Sequence, residues 1–179
     1  KGNDIYFNLY ISNDAQIEAG NRNVKISQKA DFPWNGNVEI SLDPSEEGRF
    51  TLRLRIPGWA RNEALPGGLY KFGDQNNEPV MLLVNGENIN PKIEDGYAVI
   101  SRKWKRGDRI SLFIPMPVRK VVADERIKED IDKIAVQRGP VIYCAEWPDN
   151  FEGQVLNLVV GSEPPFTTEY IPALLNGTQ

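Results

Sequence analysis

The 179-residue sequence contains no histidine and a single cysteine, Cys144. Without imidazole, neither a Ser-His-Asp nor a Cys-His nucleophilic system can be assembled, and zinc, copper or haem finds no histidine ligand. One cysteine cannot close an internal disulfide or build a multi-thiolate metal site, so cysteine usage says nothing about redox compartment. The chain has no run of about 18 apolar residues, which excludes a membrane-spanning helix. Its 21 Lys+Arg against 25 Asp+Glu give a formal net charge of −4. Nucleic-acid binding rests on clustered cations that neutralise phosphates, so neither nucleic acid nor a membrane is an expected partner. An initiator methionine and an apolar leader are also missing. The chain therefore reads as a piece of a longer polypeptide.

What the sequence has in abundance is alternation with a period of two, the pattern of strands with one buried face. Ile5, Phe7, Leu9 and Ile11 fall on one side of Asp4–Ile11, with Tyr6, Asn8 and Tyr10 on the other. Val38, Ile40 and Leu42 alternate with Glu39 and Ser41, and Phe50, Leu52, Leu54 and Ile56 with Thr51, Arg53 and Arg55. A one-residue slip in the last segment would bury two arginines, so its register is firmly specified. Further strands are expected at Val24–Ala30, Val80–Val84, Tyr97–Ile100, Ile110–Ile114, Lys120–Ala123, Ile134–Arg138 and Val141–Ala145. Asn35-Gly36, Asn85-Gly86 and Asp95-Gly96 supply the residues that tolerate positive φ in tight turns. Helical periodicity is confined to a short charged turn near Glu125–Asp132.

Many short strands separated by Gly/Pro turns predict an all-β fold, an antiparallel β-sandwich of jelly-roll type. The prolines of Ile114-Pro115-Met116-Pro117 break the sheet pattern. A boundary placed there gives a sandwich domain over residues 1–115 and a second, incomplete sandwich segment with an irregular tail over 118–179. The Gly/Pro/Asn-rich span Pro57–Pro79 reads as a long surface loop.

Carboxylates are the abundant catalytic groups. A glycosidase holds two of them about 5–5.5 Å apart for retention or about 6.5–9.5 Å for inversion. No spacing among Asp31, Asp43, Glu46, Glu47, Asp95, Glu146 and Asp149 singles out such a pair, and Glu39 lies on a polar strand face. Cys144 follows Val141-Ile142-Tyr143; with no base to form its thiolate, it is expected to be a small buried hydrophobe. Arg102–Arg109 mixes cations with Trp104 and reads as a strand end and turn, with the indole inward and the charges, Asp108 among them, in water. The acidic runs Asp43–Glu47 and Asp124–Asp132 lack the spacing of a calcium loop and read as solvated turns. Trp34 and Trp59 stand beside turns at strand ends, where a ring either plugs the sandwich or meets a sugar or another domain. Asn176-Gly177-Thr178 matches a three-residue glycosylation sequon.

Several motifs occur in a fixed order: Asp31-Phe32-Pro33-Trp34, Leu54-Arg55-Ile56-Pro57-Gly58-Trp59-Ala60, Val84-Asn85-Gly86-Glu87 and Gly96-Tyr97-Ala98-Val99-Ile100. Trp104 with Gly107-Asp108 follows, then Ile114-Pro115-Met116-Pro117-Val118-Arg119 and Val136-Gln137-Arg138-Gly139-Pro140-Val141-Ile142-Tyr143-Cys144. This ordered set, covering residues 1 to about 150, resembles the carboxyl-terminal region of glycoside hydrolase family 127, the β-L-arabinofuranosidase-like enzymes. The resemblance implies a parent whose helical (α/α)6 barrel carries the active site, with β-sandwich domains behind it. It further implies chemistry by a cysteine nucleophile in a zinc–thiolate cluster and a glutamate acid, all located in the barrel. No catalytic residue then carries over to this chain, Cys144 included, and no cofactor or metal is expected in it.

On this reading the chain is a non-catalytic accessory region that braces the barrel. An exposed apolar patch should mark the contact, with Trp34, Trp59 and Tyr97 as members of an interface or carbohydrate-contact surface. The expected partners are the helical catalytic domain of the same parent chain and a plant-type oligosaccharide. The alternative is an independent carbohydrate-binding module built on Trp34 or Trp59. Localisation is open, a periplasmic or secreted parent being compatible with the family. The parent's sugar specificity is not encoded in a scaffold.

Overall fold

A computed structural model describes residues 2–150, 154–161, 166–171 and 177–178. In chain order the first strands are β1 (Asp4–Phe7), β2 (Asn13–Ala19), β3 (Arg22–Ala30), β4 (Asn37–Pro44), β5 (Gly48–Arg55), β6 (Tyr70–Phe72), β7 (Met81–Val84) and β8 (Glu87–Asn88). They are followed by β9 (Lys92–Glu94), β10 (Tyr97–Trp104), β11 (Arg109–Phe113), β12 (Val118–Ala123), β13 (Ile134–Arg138), β14 (Val141–Tyr143), β15 (Tyr170–Ile171) and β16 (Gly177–Thr178). Helical structure among the described residues is limited to short 3-10 turns, one of them at Lys128–Asp130 within the expected charged turn.

Two sheets form the first sandwich, one ordered β1-β5-β10-β9 and the other β2-β3-β4-β11-β7-β8. Pairing is antiparallel throughout except for β1, which runs parallel to β5. The strand alternation decides which side chains meet. Phe50, Leu52 and Leu54 of β5 and Ala98, Ile100 and Trp104 of β10 face inward, and Val38, Ile40, Leu42, Ile110 and Leu112 answer from the six-stranded sheet, all in one buried cluster. Removing a side chain of this size from water stabilises the fold by about 1.5–3 kcal/mol, which holds the register of β5 with Arg53 half-buried and Arg55 exposed on its other face.

The alternation read from Asp4 to Ile11 fails at its midpoint. Ile5 and Phe7 are buried, but β1 ends at Phe7 and the phase then shifts, so that Tyr10 is buried while Leu9 and Ile11 are 67% and 62% exposed. Polar anchors cause the shift. The Tyr10 hydroxyl donates to the Arg55 carbonyl at 2.6 Å, and buried Gln28 donates its side-chain amide to the carbonyls of Leu9 and Ile11 at 3.1 and 2.7 Å. Buried polar groups must be paired, and these pairings turn two large apolar side chains outward. β2, absent from the expected strands, has only Ala19 buried and carries no inward stripe to announce it.

A third sheet is ordered β14-β13-β12-β6. Its edge strand β6 comes from the span read as surface loop: Phe72, Lys71 and Tyr70 pair antiparallel with Val121, Val122 and Ala123. Arg119 of β12 fixes this exchange. It is 4% exposed, lies 3.5 Å over the Phe72 ring, and donates to the Asp74 carboxylate at 3.1 Å and to the Asp74 carbonyl at 2.6 Å.

Three other expectations are corrected. Asp108 is not in water but 2% exposed, accepting from the Asn85 side-chain amide and the Lys105 backbone N–H, both at 2.9 Å. Cys144 is exposed and not buried, because β14 ends at Tyr143 and leaves it beyond the ladder. The span Pro57–Pro79 holds a 3-10 turn at Gly58–Arg61 as well as β6. Asn176 of the sequon and the side chain of Asp149 lie outside what the structure describes.

Candidate functional site

The outward turn of Leu9 and Ile11 opens one wall of a groove of about 460 Å³. The other walls come from Phe32-Pro33 in the β3–β4 connection and from Pro57 to Pro66 behind β5. Trp59 lies on the 3-10 turn Gly58–Arg61, which is closed by Asn62 in the left-handed conformation (φ 63°) with its N–H on the Gly58 carbonyl. Its ring centroid stands 6.2 Å from that of Phe32, which in turn meets Tyr10 edge-on at 5.5 Å. Trp59 is therefore held by the core on one side and open to the groove on the other. Leu65, between the lining residues Ala64 and Pro66 in sequence, is 45% exposed.

Charge enters the groove in a balanced form. Arg61 donates to the Ile56 carbonyl at 3.2 Å and pairs with Glu63 at 3.3 Å, while the Arg55 side chain lines the wall. Burial pushes the Tyr10 hydroxyl well above the usual phenol range, so this anchor stays a neutral donor at any ordinary pH.

The expected contact residues are distributed unevenly. Trp59 is in the groove. Tyr97 stands at its rim: its hydroxyl donates to the lining residue Asn8 at 2.7 Å, its strand partner is Arg55, and its ring meets Tyr6 edge-on at 5.4 Å. Trp34 belongs elsewhere, in a separate cleft with Asp31, Asn35, Arg138, Thr168 and Tyr170. Of this second set Arg138, Thr168 and Tyr170 carried no signal, because they reach Trp34 only through the packing of the third sheet and the tail.

The carboxylates are engaged locally. Asp43 pairs with Arg106 at 3.1 Å and Glu47 with Lys103 at 2.5 Å. Asp95 supplies the turn before β10 at φ 51°. A trough on the outer face of the six-stranded sheet is lined by both Asp14 and Asp43. Asp14 is opposite Ser27 and Asp43 opposite Lys25, two strands and two residues apart. Their backbone positions are therefore roughly 12 Å apart by strand spacing and rise, and the Asp43 carboxylate is held by Arg106. A zinc–thiolate cluster does not fit this chain either, with one exposed cysteine, no histidine, and no convergent group of three Cys, Asp or Glu among the described residues.

Comparison with known proteins places both parts of the chain. Residues 4–116 match the family model described as "Beta-L-arabinofuranosidase, GH127 middle domain", and residues 118–177 match "Glycoside hydrolase family 127 C-terminal domain". The non-reducing end β-L-arabinofuranosidase of Bifidobacterium longum subsp. longum is 32% identical over 152 residues, 83% of this chain and 20% of that protein. The structure of a GH127 β-arabinofuranosidase superposes with a TM-score of 0.92 at 37% identity, covering 98% of this chain and 27% of its own. A GH127 β-L-arabinofuranosidase from Geobacillus stearothermophilus T6 gives 0.86 at 34% identity, covering 99% and 25%. The chain thus spans a fifth to about a quarter of the length of these relatives.

Proposed function

The chain belongs to glycoside hydrolase family 127, and from that premise we propose that it is the non-catalytic β-sandwich region of a β-L-arabinofuranosidase-like enzyme, bracing a helical catalytic domain of the same parent chain. The observation that carries this reading is the outward presentation of Leu9 and Ile11 beside Trp59. Tyr10 and Gln28 anchor the backbone between them, so the apolar side chains are held out in a fixed geometry. Large side chains exposed side by side beside an apolar groove mark a contact surface better than they mark free surface. The length of the relatives supplies the room for the partner, since about three quarters or more of each lies outside the match.

The non-catalytic part of the reading is supported by chemistry. The thiol of Cys144 has no histidine to activate it, and of the two carboxylates in the sheet trough Asp43 is held in an ion pair with Arg106. We place the division between the two sandwich units at Pro115–Pro117.

The test uses Leu9→Asp and Ile11→Asp. In the isolated chain each is expected to change stability by less than about 0.5 kcal/mol, as at other exposed positions. In the full-length parent the pair should lower the melting temperature and the turnover of an aryl β-L-arabinofuranoside. A parent enzyme indifferent to both substitutions would remove the bracing role, and release of the aryl group by the isolated chain would remove the non-catalytic one.

A further inference from the structure

The cleft around Trp34 is built differently from the apolar groove. It measures about 440 Å³ and is lined by Asp31, Trp34, Asn35, Arg138, Thr168 and Tyr170, inside the range of small-ligand sites. We propose that it is a saccharide-binding subsite for a neutral sugar residue, whose apolar C–H face packs on the aromatic rings and whose hydroxyls are met by Asp31, Asn35 and Arg138.

The floor is rigid. The backbone N–H groups of Trp34 and Asn35 both donate to the Asp31 carbonyl, at 2.8 and 3.2 Å, and the Asn35 side chain bridges the Asp31 carboxylate and the Asn37 N–H. Gly36 presses this turn against Ile114: its carbonyl accepts from the Ile114 N–H at 3.0 Å, and an added Cβ would stand 1.8 Å from the Ile114 carbonyl oxygen. From the other side Arg138, at the end of β13, donates to the Trp34 carbonyl at 2.7 Å. The backbone that carries the indole is therefore fixed before any ligand arrives, which lowers the ordering cost of binding.

The chemistry selects the ligand class. The Tyr170 ring is 56% exposed, and its hydroxyl has no protein partner among the described residues. Carboxylate, amide and guanidinium groups around two aromatic rings match an amphipathic solute with a polar edge and an apolar face. An anion would meet Asp31 and a cation would meet Arg138, so the balanced pair favours a neutral, hydroxyl-rich molecule. The site draws on residues either side of Pro115–Pro117, and it depends on neither Leu9 nor Ile11.

The experiment titrates the whole chain with short arabino-oligosaccharides by calorimetry, with Ile93→Ser, exposed on β9, as a surface control. Saturable binding is expected, weakened roughly tenfold or more, about 1.4 kcal/mol, by Tyr170→Ala and by Asp31→Asn, and unchanged in the control. Both test positions are exposed, and near-ultraviolet dichroism of the buried Trp104 verifies that each variant is folded. Absence of binding at millimolar sugar, or binding that survives both substitutions, would overturn the assignment. Either result leaves the bracing test on Leu9 and Ile11 intact.

Discussion

The indole N–H of Trp104 donates to the carbonyl oxygen of Phe50 at 3.0 Å, with both side chains buried and their ring centroids 6.1 Å apart. Trp104 closes β10 against the start of β5, where the two strands pair Trp104 with Gly48 and Arg102 with Phe50. The Arg102 guanidinium lies over the indole at 5.2 Å and caps the outer side.

Replacing Trp104 by alanine should cost about 3–5 kcal/mol, the range for deleting a large core aromatic. Trp104→Phe should cost less, keeping much of the volume but orphaning the Phe50 carbonyl. Urea unfolding followed by far-ultraviolet dichroism measures both; a loss under 1 kcal/mol for Trp104→Ala would show that the core does not depend on this ring.

Asp108 joins two turns. It accepts from Asn85, whose own side-chain oxygen accepts from the Arg109 N–H at 2.8 Å. Asp108→Ala should destabilise the chain by about 1–3 kcal/mol, the cost of leaving buried donors without an acceptor. The effects of Asp108→Ala and Asn85→Ala should not add, because each removes the same bond. A thermal double-mutant cycle reads this, and full additivity would contradict the contact.

The response to acid follows from which groups titrate. Hydrogen bonds from Lys92 and Arg53 hold Glu94 below its ordinary range, Lys103 does the same for Glu47, and Arg126 for Asp124. A carboxylate with a depressed folded-state pKa stabilises the fold above its unfolded pKa, and that contribution disappears as pH falls through the folded value. The melting temperature should therefore hold level from pH 8 to 6, there being no histidine to titrate. It should fall below about pH 4.5, near the ordinary carboxylate range. Glu94→Gln should shallow the acid limb, and an unchanged limb would mean that these pairs do not contribute.

Cys144 is exposed and is the lone thiol of the chain. One equivalent should react with an aromatic disulfide reagent in the native state, at the rate seen after denaturation within about an order of magnitude. A thiol that reacts only when unfolded would place Cys144 in a contact the structure does not show.

Much of the sandwich was legible because period-two burial leaves a period-two sequence. β4 and β5 follow their apolar and polar faces closely, and Trp104 was placed inward as the aromatic of a strand end. Three of the misreadings share a cause, in that polar groups overrode the local pattern. Gln28 and Tyr10 reversed the phase at Leu9 and Ile11, Asn85 and Lys105 drew Asp108 inward, and Arg119 drew Tyr70–Phe72 out of an apparent loop. Apart from Tyr10 and Lys105, which are local, these partners lie far from their targets in sequence. The same holds for the site residues. Trp34, Trp59 and Tyr97 were visible as aromatics beside turns, but that Trp34 shares its cleft with Arg138 and Tyr170 depends on how the third sheet folds back.

The strand β6 has a practical consequence for anyone dividing this molecule. Cutting at the proline-rich hinge would leave the downstream piece with a raw edge along Val121–Ala123 and the upstream piece with a homeless Phe72, its arginine lid gone. Grafts between relatives should therefore carry Tyr70–Asp74 together with everything after Val118, or the seam will fall through the middle of a sheet.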